Sequence, residues 1–323
     1  MRQRILNINK SRWTGFPERA AVAICLLACV PTAAIAQQPG QKVFSSPEEA
    51  SIALVTAAQA NDEKTMLELL GPDAKQLVSS GDSTEDVNSR ANFVERYREM
   101  HRLVNEPDGT VTLYIGARNW PTPIPLVQTG NSWYFDTDAG KQEILFRRIG
   151  RNELSTVRVC QELVAAENEY HDMGHGEYSG KMFSDEGQHN GLYWQAAAGE
   201  THSPIGPLVA SAFVQRDAGS SKAPSTPYRG YYFHSLTSQG SHAPGGAKSY
   251  AMSGKMTEGF AFVAYPSEYR SSGVMTFIVG HDGIVYQKDL GRKTRAIAQA
   301  MTRYDPDATW HAIEKPEVEA AGQ

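Results

Sequence analysis

Twice along this chain, apolar residues with helical spacing give way to residues that alternate with the two-residue period of a strand. The first change lies near residue 110, where Val111, Leu113 and Ile115 alternate with Thr110, Thr112 and Tyr114. The second lies near residue 230, after a helix predicted from Asn152 to about His171. Helices that precede strands in this way, instead of alternating with them one by one, predict an α+β protein with antiparallel sheets.

The predicted helices of the first half begin and end at recognisable signals. Ser46 and Glu49 have the spacing of a capping box, and Gly71 ends a second helix. A third helix is predicted over about 86–104. Helices followed by a curved antiparallel sheet resemble the cone-shaped fold of nuclear transport factor two and its bacterial relatives over about 44–149. This resemblance implies a fold and no activity.

The first 36 residues have the order of a targeting segment. Basic residues precede an uncharged apolar run over 20–30, and Ala34 and Ala36 supply the small residues of a signal peptidase site. We therefore expect a cleaved signal peptide over 1–36 and a periplasmic or secreted protein. The alternative is a lipoprotein anchored through Cys29. No later apolar run is long enough to cross a membrane, so no transmembrane segment is expected after signal removal.

The same patterns divide the rest of the chain into an N-terminal α+β unit over 37–149, a C-terminal α+β unit over 150–310 and a loose tail over 311–323. The leader carries a net charge of +4, so the remainder carries −9. It retains no basic cluster, which argues against a nucleic-acid partner. Cys160 is then the single remaining cysteine, and its apolar helical neighbours predict a buried structural thiol.

Eight segments of the second half carry a resemblance to a known family. They are 150–154 (GRNEL), 191–194 (GLYW), 203–208 (SPIGPL), 230–233 (GYYF), 243–246 (APGG), 259–261 (GFA), 272–277 (SGVMTF) and 285–291 (VYQKDLG). In this order they resemble the bacterial exported domain-of-unknown-function family numbered twenty-nine fifty, over nearly all of the chain after the leader. The resemblance implies an exported protein and attaches no activity to it.

The second half also resembles the globular head of pseudopilins of type II secretion. The likeness consists of the helix from Asn152 to Tyr170 and the segments 230–233, 260–266 and 272–283. It implies a helix packed across an antiparallel sheet. This chain differs from a pilin in one respect, so the resemblance covers the globular head alone. A pilin has a long hydrophobic stem before this helix, whereas the segment here contains Lys141, Arg147 and Arg148.

The sequence contains none of the motifs that most often mark catalysis. It has no H-E-x-x-H zinc site and no G-x-S-x-G nucleophile elbow. The best metal candidates are the side chains of His171, Asp172, His175 and His189. Glycines 174 and 176 interrupt the helix that would present two of them to one ion, so neither a metal nor another cofactor is expected.

Aromatic residues form the densest cluster that these motifs leave unexplained. Tyr193 and Trp194 follow one glycine, and Tyr231 and Tyr232 follow another. Exposed tyrosine and tryptophan side chains can stack on a ligand or anchor a protein partner. These four residues are therefore the candidates for contact with a ligand or partner, and the alternative is that they belong to the core.

These observations favour an exported cell-envelope protein with a non-catalytic structural or interaction role and an unknown envelope protein or small ligand as its partner. One alternative is a periplasmic small-ligand-binding protein, and another is a hydrolase whose site has no recognised motif. An apolar cavity beneath Trp120 and Trp133 would favour ligand binding. A pocket with several converging titratable groups would favour the hydrolase, and an exposed Tyr/Trp patch would favour a protein partner.

Overall fold

The structure is a computed structural model, and it describes residues 37–196, 199, 201–214 and 226–313. The predicted signal peptide over 1–36 and the alternative lipid site at Cys29 lie outside the described residues. Within the described ranges the chain forms α-helices and sheets whose strand pairs are antiparallel except for one short parallel pair between Ser238–Gln239 and Arg303–Tyr304, which confirms the predicted α+β class.

Helices make up the first part of the N-terminal unit. They are α1 (Pro47–Gln59), α2 (Glu63–Leu70), α3 (Lys75–Val78) and α4 (Ser83–Glu99), with a 3-10 turn over Pro72–Ala74. The Ser46 hydroxyl accepts the backbone N–H of Glu49, as the capping box predicts. The Glu49 carboxylate reaches back to the N–H and hydroxyl of Ser45. Gly71 follows α2 with a φ of 90°, a value that favours glycine and ends the helix.

An antiparallel sheet follows these helices. Its strands are β1 (His101–Asn105), β2 (Val111–Ile115), β3 (Trp120–Pro121), β4 (Leu126–Thr129) and β5 (Ser132–Phe135), in the order β1-β2-β4-β5 with β3 also paired to β2. The prediction that the third helix reaches residue 104 is wrong. The helix ends at Glu99 because His101–Asn105 pair with Val111–Ile115, and this pairing outweighs a weak helical preference.

The core of the N-terminal unit lies between the helices and this sheet. Its fully or nearly fully buried members include Leu69 from α2, Val94 from α4 and Phe135 from β5. Trp133 is half-buried and packs against this core. The sheet and helices thus enclose one apolar interior, part of which side chains do not fill.

One long helix, α5 (Thr137–Tyr170), links the two halves of the chain. The prediction that a helix begins at Asn152 is therefore wrong. The helix begins at Thr137 after the N-cap residue Asp136, whose carboxylate accepts the backbone N–H of Ala139, while the Asn152 amide donates to the carbonyl of Ser272. Gly150 lies inside the helix, where a glycine costs only about 1 kcal/mol relative to alanine. The predicted boundary between units falls inside this helix, and the division itself stays a prediction.

The C-terminal half contains many short elements. A π-type turn over His171–His175 follows α5. The helices and turns after it are α6 (Pro207–Ser211), a 3-10 turn over Gly291–Lys293 and α7 (Thr294–Ala300). The strands are β6 (Tyr231–Leu236), β7 (Ser238–Gln239), β8 (Lys248–Ser249), β9 (Ala251–Met252), β10 (Lys255–Met256), β11 (Ala261–Pro266), β12 (Thr276–Gly280), β13 (Val285–Lys288), β14 (Arg303–Tyr304) and β15 (His311–Ala312).

The main C-terminal sheet is antiparallel and has the order β15-β13-β12-β11-β6. Helix α5 covers one face, where Leu163 packs with Phe262 and Phe277. Strands β12 and β13 of this sheet form an antiparallel hairpin. Helix α7 lies on the other face, which explains why β11 and β12 are buried along their whole length. Strand β15 pairs with β13, so residues 311 and 312 are not part of a loose tail.

Candidate functional site

A cavity with a volume of about 530 Å³ lies in the N-terminal unit. It opens between α4 on one side and the segment that runs from β3 toward β4 on the other. Its apolar wall is formed by residues from α1 to α4, β2 and this segment: Leu54, Ala58, Met66, Leu70, Leu77, Val78, Phe93, Ile115, Trp120, Pro123 and Ile124. The wall is therefore the unfilled continuation of the N-terminal core.

Trp120 stands at the edge of this cavity and is 40% exposed. Its position is fixed by the turn before it, in which Gly116 and Asn119 adopt positive φ values of 75° and 54°. The guanidinium of Arg147 lies 5.0 Å from the centre of the Trp120 ring and donates to the carbonyl of Pro121 at 2.8 Å. Because Arg147 is on α5, this contact holds the β3 segment against the long helix.

The backbone of α5 at Gly140 closely approaches the side chain of Ile124, which lines the same wall. A Cβ atom at Gly140 of α5 would lie 2.6 Å from Cγ1 of Ile124, which is a lining residue of the cavity. Only glycine allows this contact without a shift of the segment. The sequence therefore places the helix close enough to fix the position of Ile124.

Polar residues lie along the α4 side of the cavity. The Asp86 carboxylate accepts the N–H of Ser80 at 2.9 Å and the hydroxyl of Ser79 at 3.1 Å. These hydrogen bonds lower the pKa of Asp86 below its ordinary value. Arg90 donates to the carbonyl of Val78 at 2.8 Å. Asp86 and Arg90 thus stabilise the connection between α3 and α4 through hydrogen bonds to Ser79, Ser80 and Val78.

The four aromatic residues predicted to contact a ligand or partner do not form one surface. Tyr231 and Tyr232 are neighbours in β6 and point to opposite faces of the sheet, as the period of a strand requires. Tyr231 is 0% exposed and donates to the carbonyl of Met275 at 2.9 Å. It is a core residue, whereas Tyr232 is half-buried beneath Arg295.

Tyr193 and Trp194 lie elsewhere, on a loop over 183–195 that forms a smaller pocket of about 360 Å³. Tyr193 packs edge-on against Phe183, and the Trp194 ring stacks on His189. The Trp194 indole N–H donates to the carbonyl of Thr201 at 3.0 Å, and the residue is only 8% exposed. Most of this aromatic surface is thus already in contact with the chain itself, and a role of these residues in binding stays a prediction.

Reactive side chains are not gathered at the large cavity. Cys160 is buried in the C-terminal core, and burial raises its pKa to about 12, in agreement with the predicted structural thiol. The ring nitrogen Nδ1 of His242 donates to the Asp305 carboxylate at 3.0 Å, the pairing that orients a general base. No hydroxyl or thiol among the described residues hydrogen-bonds to this histidine.

The predicted metal candidates are also dispersed. His171 lies 3.2 Å from Asp172 and stacks obliquely on Tyr178, and His189 is on the 183–195 loop. The side chain of His175 lies outside the described part of the chain. Within the described residues, no three histidine, cysteine or acidic side chains are arranged to hold an ion.

One buried charge was not predicted from the sequence. Glu167 of α5 is 1% exposed, and one of its oxygens accepts the backbone N–H of Ser179 at 2.7 Å. Burial raises the pKa of Glu167 to about 8, because the ionised form has lost its water. It sits where an amphipathic helix would place an apolar residue, and that position is the only signal of its burial in the sequence.

Comparison with known proteins gives one match. A family model described as "Protein of unknown function (DUF2950)" matches residues 41–313, which include the two five-stranded sheets and the long helix. No curated protein and no solved structure matches the chain. The resemblances to nuclear transport factor two and to pseudopilin heads therefore stay predictions. Among the described residues, none of the helices combines the length and apolar character needed to cross a membrane.

Proposed function

Because the chain belongs to the DUF2950 family, which is described only as a protein of unknown function, we propose its function from the cavity in the N-terminal unit. The protein is an exported, non-catalytic binding protein that holds a small, largely apolar molecule between α4 and the β3 segment. The observation that supports this proposal is the cavity of about 530 Å³ with an apolar wall and Trp120 at its edge.

The size and lining of the cavity fit such a ligand. Sites for small molecules typically enclose about 300–1,000 Å³ and have mostly apolar walls with a few polar groups. Here the apolar side chains of Met66, Leu70 and Phe93 line space that no other described side chain fills. Burial of an apolar molecule against them would be favourable by about 25 cal/mol for each Å² removed from water.

Two alternatives have less support from the same geometry. A hydrolase needs titratable groups that converge on a substrate, whereas Asp86 and Arg90 at the cavity are engaged by Ser80 and Val78. A protein-binding role needs exposed aromatic anchors, whereas Tyr231 is fully buried. The cavity is thus the stronger argument.

Export is the second part of the proposal, and it rests on the leader alone. A basic start, an uncharged apolar run and the residues Ala34 and Ala36 have the order that a signal peptidase recognises. The chain would then act in the periplasm or outside the cell, with the lipoprotein form anchored at Cys29 as the alternative product.

A fluorescent probe can test ligand binding at this site. N-phenyl-1-naphthylamine is uncharged and apolar, and its emission rises when it leaves water. We expect the intact chain to bind it saturably, with one site for each molecule, and Ser89→Trp to weaken that binding at least tenfold because Ser89 lines the cavity.

The neighbouring position supplies the matched control. Asn88 is exposed on the same turn of α4 and is not part of the lining, so Asn88→Trp should bind the probe as the unsubstituted chain does. Equal binding by both variants would show that the probe binds elsewhere. Unsaturable binding by the unsubstituted chain would contradict the proposed function.

A further inference from the structure

The cavity has one charged lining residue at its β2–β3 end. Arg96 is on the last turns of α4, beside Ile115 and Trp120, which face each other in the pairing of β2 with β3. The Arg96 carbonyl accepts the N–H groups of Gly116 and Met100, so the helix end is anchored to the sheet. Gly116 has no side chain to separate the strand from Arg96, and a Cβ there would lie 3.6 Å from the Arg96 Cβ.

The charged groups at the opposite end of the cavity are engaged within the chain. Asp86 is hydrogen-bonded to Ser79 and Ser80, and Arg90 to Val78. Glu85 is in the first turn of α4, where a negative side chain is stabilised by the helix dipole. Along the helix axis Asp86 lies about 15 Å from Arg96 and Arg90 about 9 Å, given the rise of about 1.5 Å per residue.

Arg96 differs from them because its guanidinium forms no hydrogen bond or ion pair with a described residue. Glu99 lies one turn further on beside Gly116, outside the cavity lining, and makes no ion pair with Arg96. The second arginine near this end, Arg147, is held by Glu143 at 2.7 Å and by the carbonyl of Pro121. Arg96 is thus a cation at the mouth of an apolar cavity, and the N–H groups of its guanidinium are available to a ligand.

We propose that the ligand of this cavity is an amphipathic organic anion, which places its acidic group on Arg96 and its apolar part against Phe93, Ile115 and Trp120. The inference rests on the proposed function, since it names the chemical class of the molecule bound there. A guanidinium offers paired donors that match a carboxylate, and the apolar wall excludes the water that would compete for the rest of the molecule.

Calorimetric titration of the intact chain with decanoate and with decan-1-ol tests this assignment, because the two probes share an apolar chain and differ in charge. Arg96→Gln should weaken decanoate binding about fivefold, the upper range for an exposed ion pair, and leave decan-1-ol binding unchanged. Added salt should weaken decanoate binding to the unsubstituted chain and have little effect in Arg96→Gln. Arg98→Gln is the matched control, since Arg98 is exposed on the same helix and does not line the cavity.

Three other binding results would overturn the assignment of an anion to Arg96 or the proposed function itself. If Arg96→Gln weakens both probes equally, or weakens neither, the assignment of an anion to Arg96 is overturned while ligand binding stands. If Arg98→Gln has the same effect on decanoate as Arg96→Gln, the effect is one of general charge and the assignment is again overturned. If the unsubstituted chain binds neither probe, the proposed function fails, and this inference fails with it. Equal thermal unfolding midpoints of the variants would show that folding is not the cause.

Discussion

At the scale of single residues, the buried carboxyl of Glu167 connects stability to pH. Its side chain links α5 to the segment that follows the π-type turn, through the N–H of Ser179. Tyr170 lies close enough to Glu167 and Glu177 for both carboxylates to raise its pKa, and Glu177 pairs with Lys255 at 3.3 Å. No cation is paired with Glu167 among the described residues, so the ionised form has little to stabilise it.

The pKa of Glu167 is about 8 in the folded chain, against an ordinary value of 4.5. Between these values the folded chain holds a proton that the unfolded chain has lost. The free energy of unfolding should therefore fall as the pH rises from 4.5 to 8, with a slope from this residue of at most about 1.4 kcal/mol per pH unit. Glu167→Gln cannot ionise and should gain stability relative to the unsubstituted chain over this window.

Urea unfolding at pH 5 and pH 8.5 measures this difference. Glu169→Gln serves as the control, since Glu169 is exposed on the same helix and its substitution should give the same difference from the unsubstituted chain at both pH values. A constant difference for Glu167→Gln as well would show that its carboxyl is not buried in solution.

Single residues also show what the sequence can reveal. The burial of Cys160 could be predicted because its neighbours in the helix are apolar at helical spacing. The burial of Tyr231 could not be separated from the exposure expected of a binding residue, because a tyrosine beside glycine suits either role. The partner that decides between them, the carbonyl of Met275, is 44 positions away.

At the scale of elements, helix α5 was the main difference between expectation and structure. Glycine and a good capping residue at 150 and 152 favour a helix start, yet the helix begins at Thr137. The tertiary contacts that decide this are distant in sequence: Arg147 reaches Pro121, and Asn152 reaches Ser272. Local signals fix where a helix can begin, and packing determines where this one does.

Two glycines in α5 allow this continuity to be tested. Gly150 is helical with open space around it, so Gly150→Ala should raise the free energy of unfolding by about 0.5–1 kcal/mol. Gly140→Ala should lower it, because the new Cβ would lie 2.6 Å from Ile124. Chemical denaturation measures both, and a destabilising Gly150→Ala would indicate a break at that position.

The sheets were easier to predict than the helix that joins them. Strands β6, β11, β12 and β13 follow apolar runs and an Asp-Gly turn, which are local features. The cavity has no such signal, because its lining runs from position 54 to position 124 and belongs to several elements. Of the two tryptophans beneath which a cavity was considered, Trp120 lines it, whereas Trp133 packs against the core of the N-terminal unit.

At the scale of the whole molecule, the proposed export would place the chain where it meets its ligand. We expect the chain recovered from the cell envelope or medium to begin at Gln37, since Ala34 and Ala36 precede that residue. N-terminal sequencing or intact mass spectrometry measures the site of cleavage. A lipid-modified Cys29 would indicate the lipoprotein form, and an intact residue 1 would contradict export.

If the cavity between α4 and the β3 segment holds a small apolar molecule, a crystal structure can locate that molecule there. A crystal of the protein with 10-bromodecan-1-ol would reveal the bromine by its anomalous scattering. We expect one ordered bromine within the space lined by Leu70, Phe93 and Trp120, and its loss in Ser89→Trp. Saturable binding in solution with the bromine ordered at another site, or with none in this cavity, would contradict the proposed function.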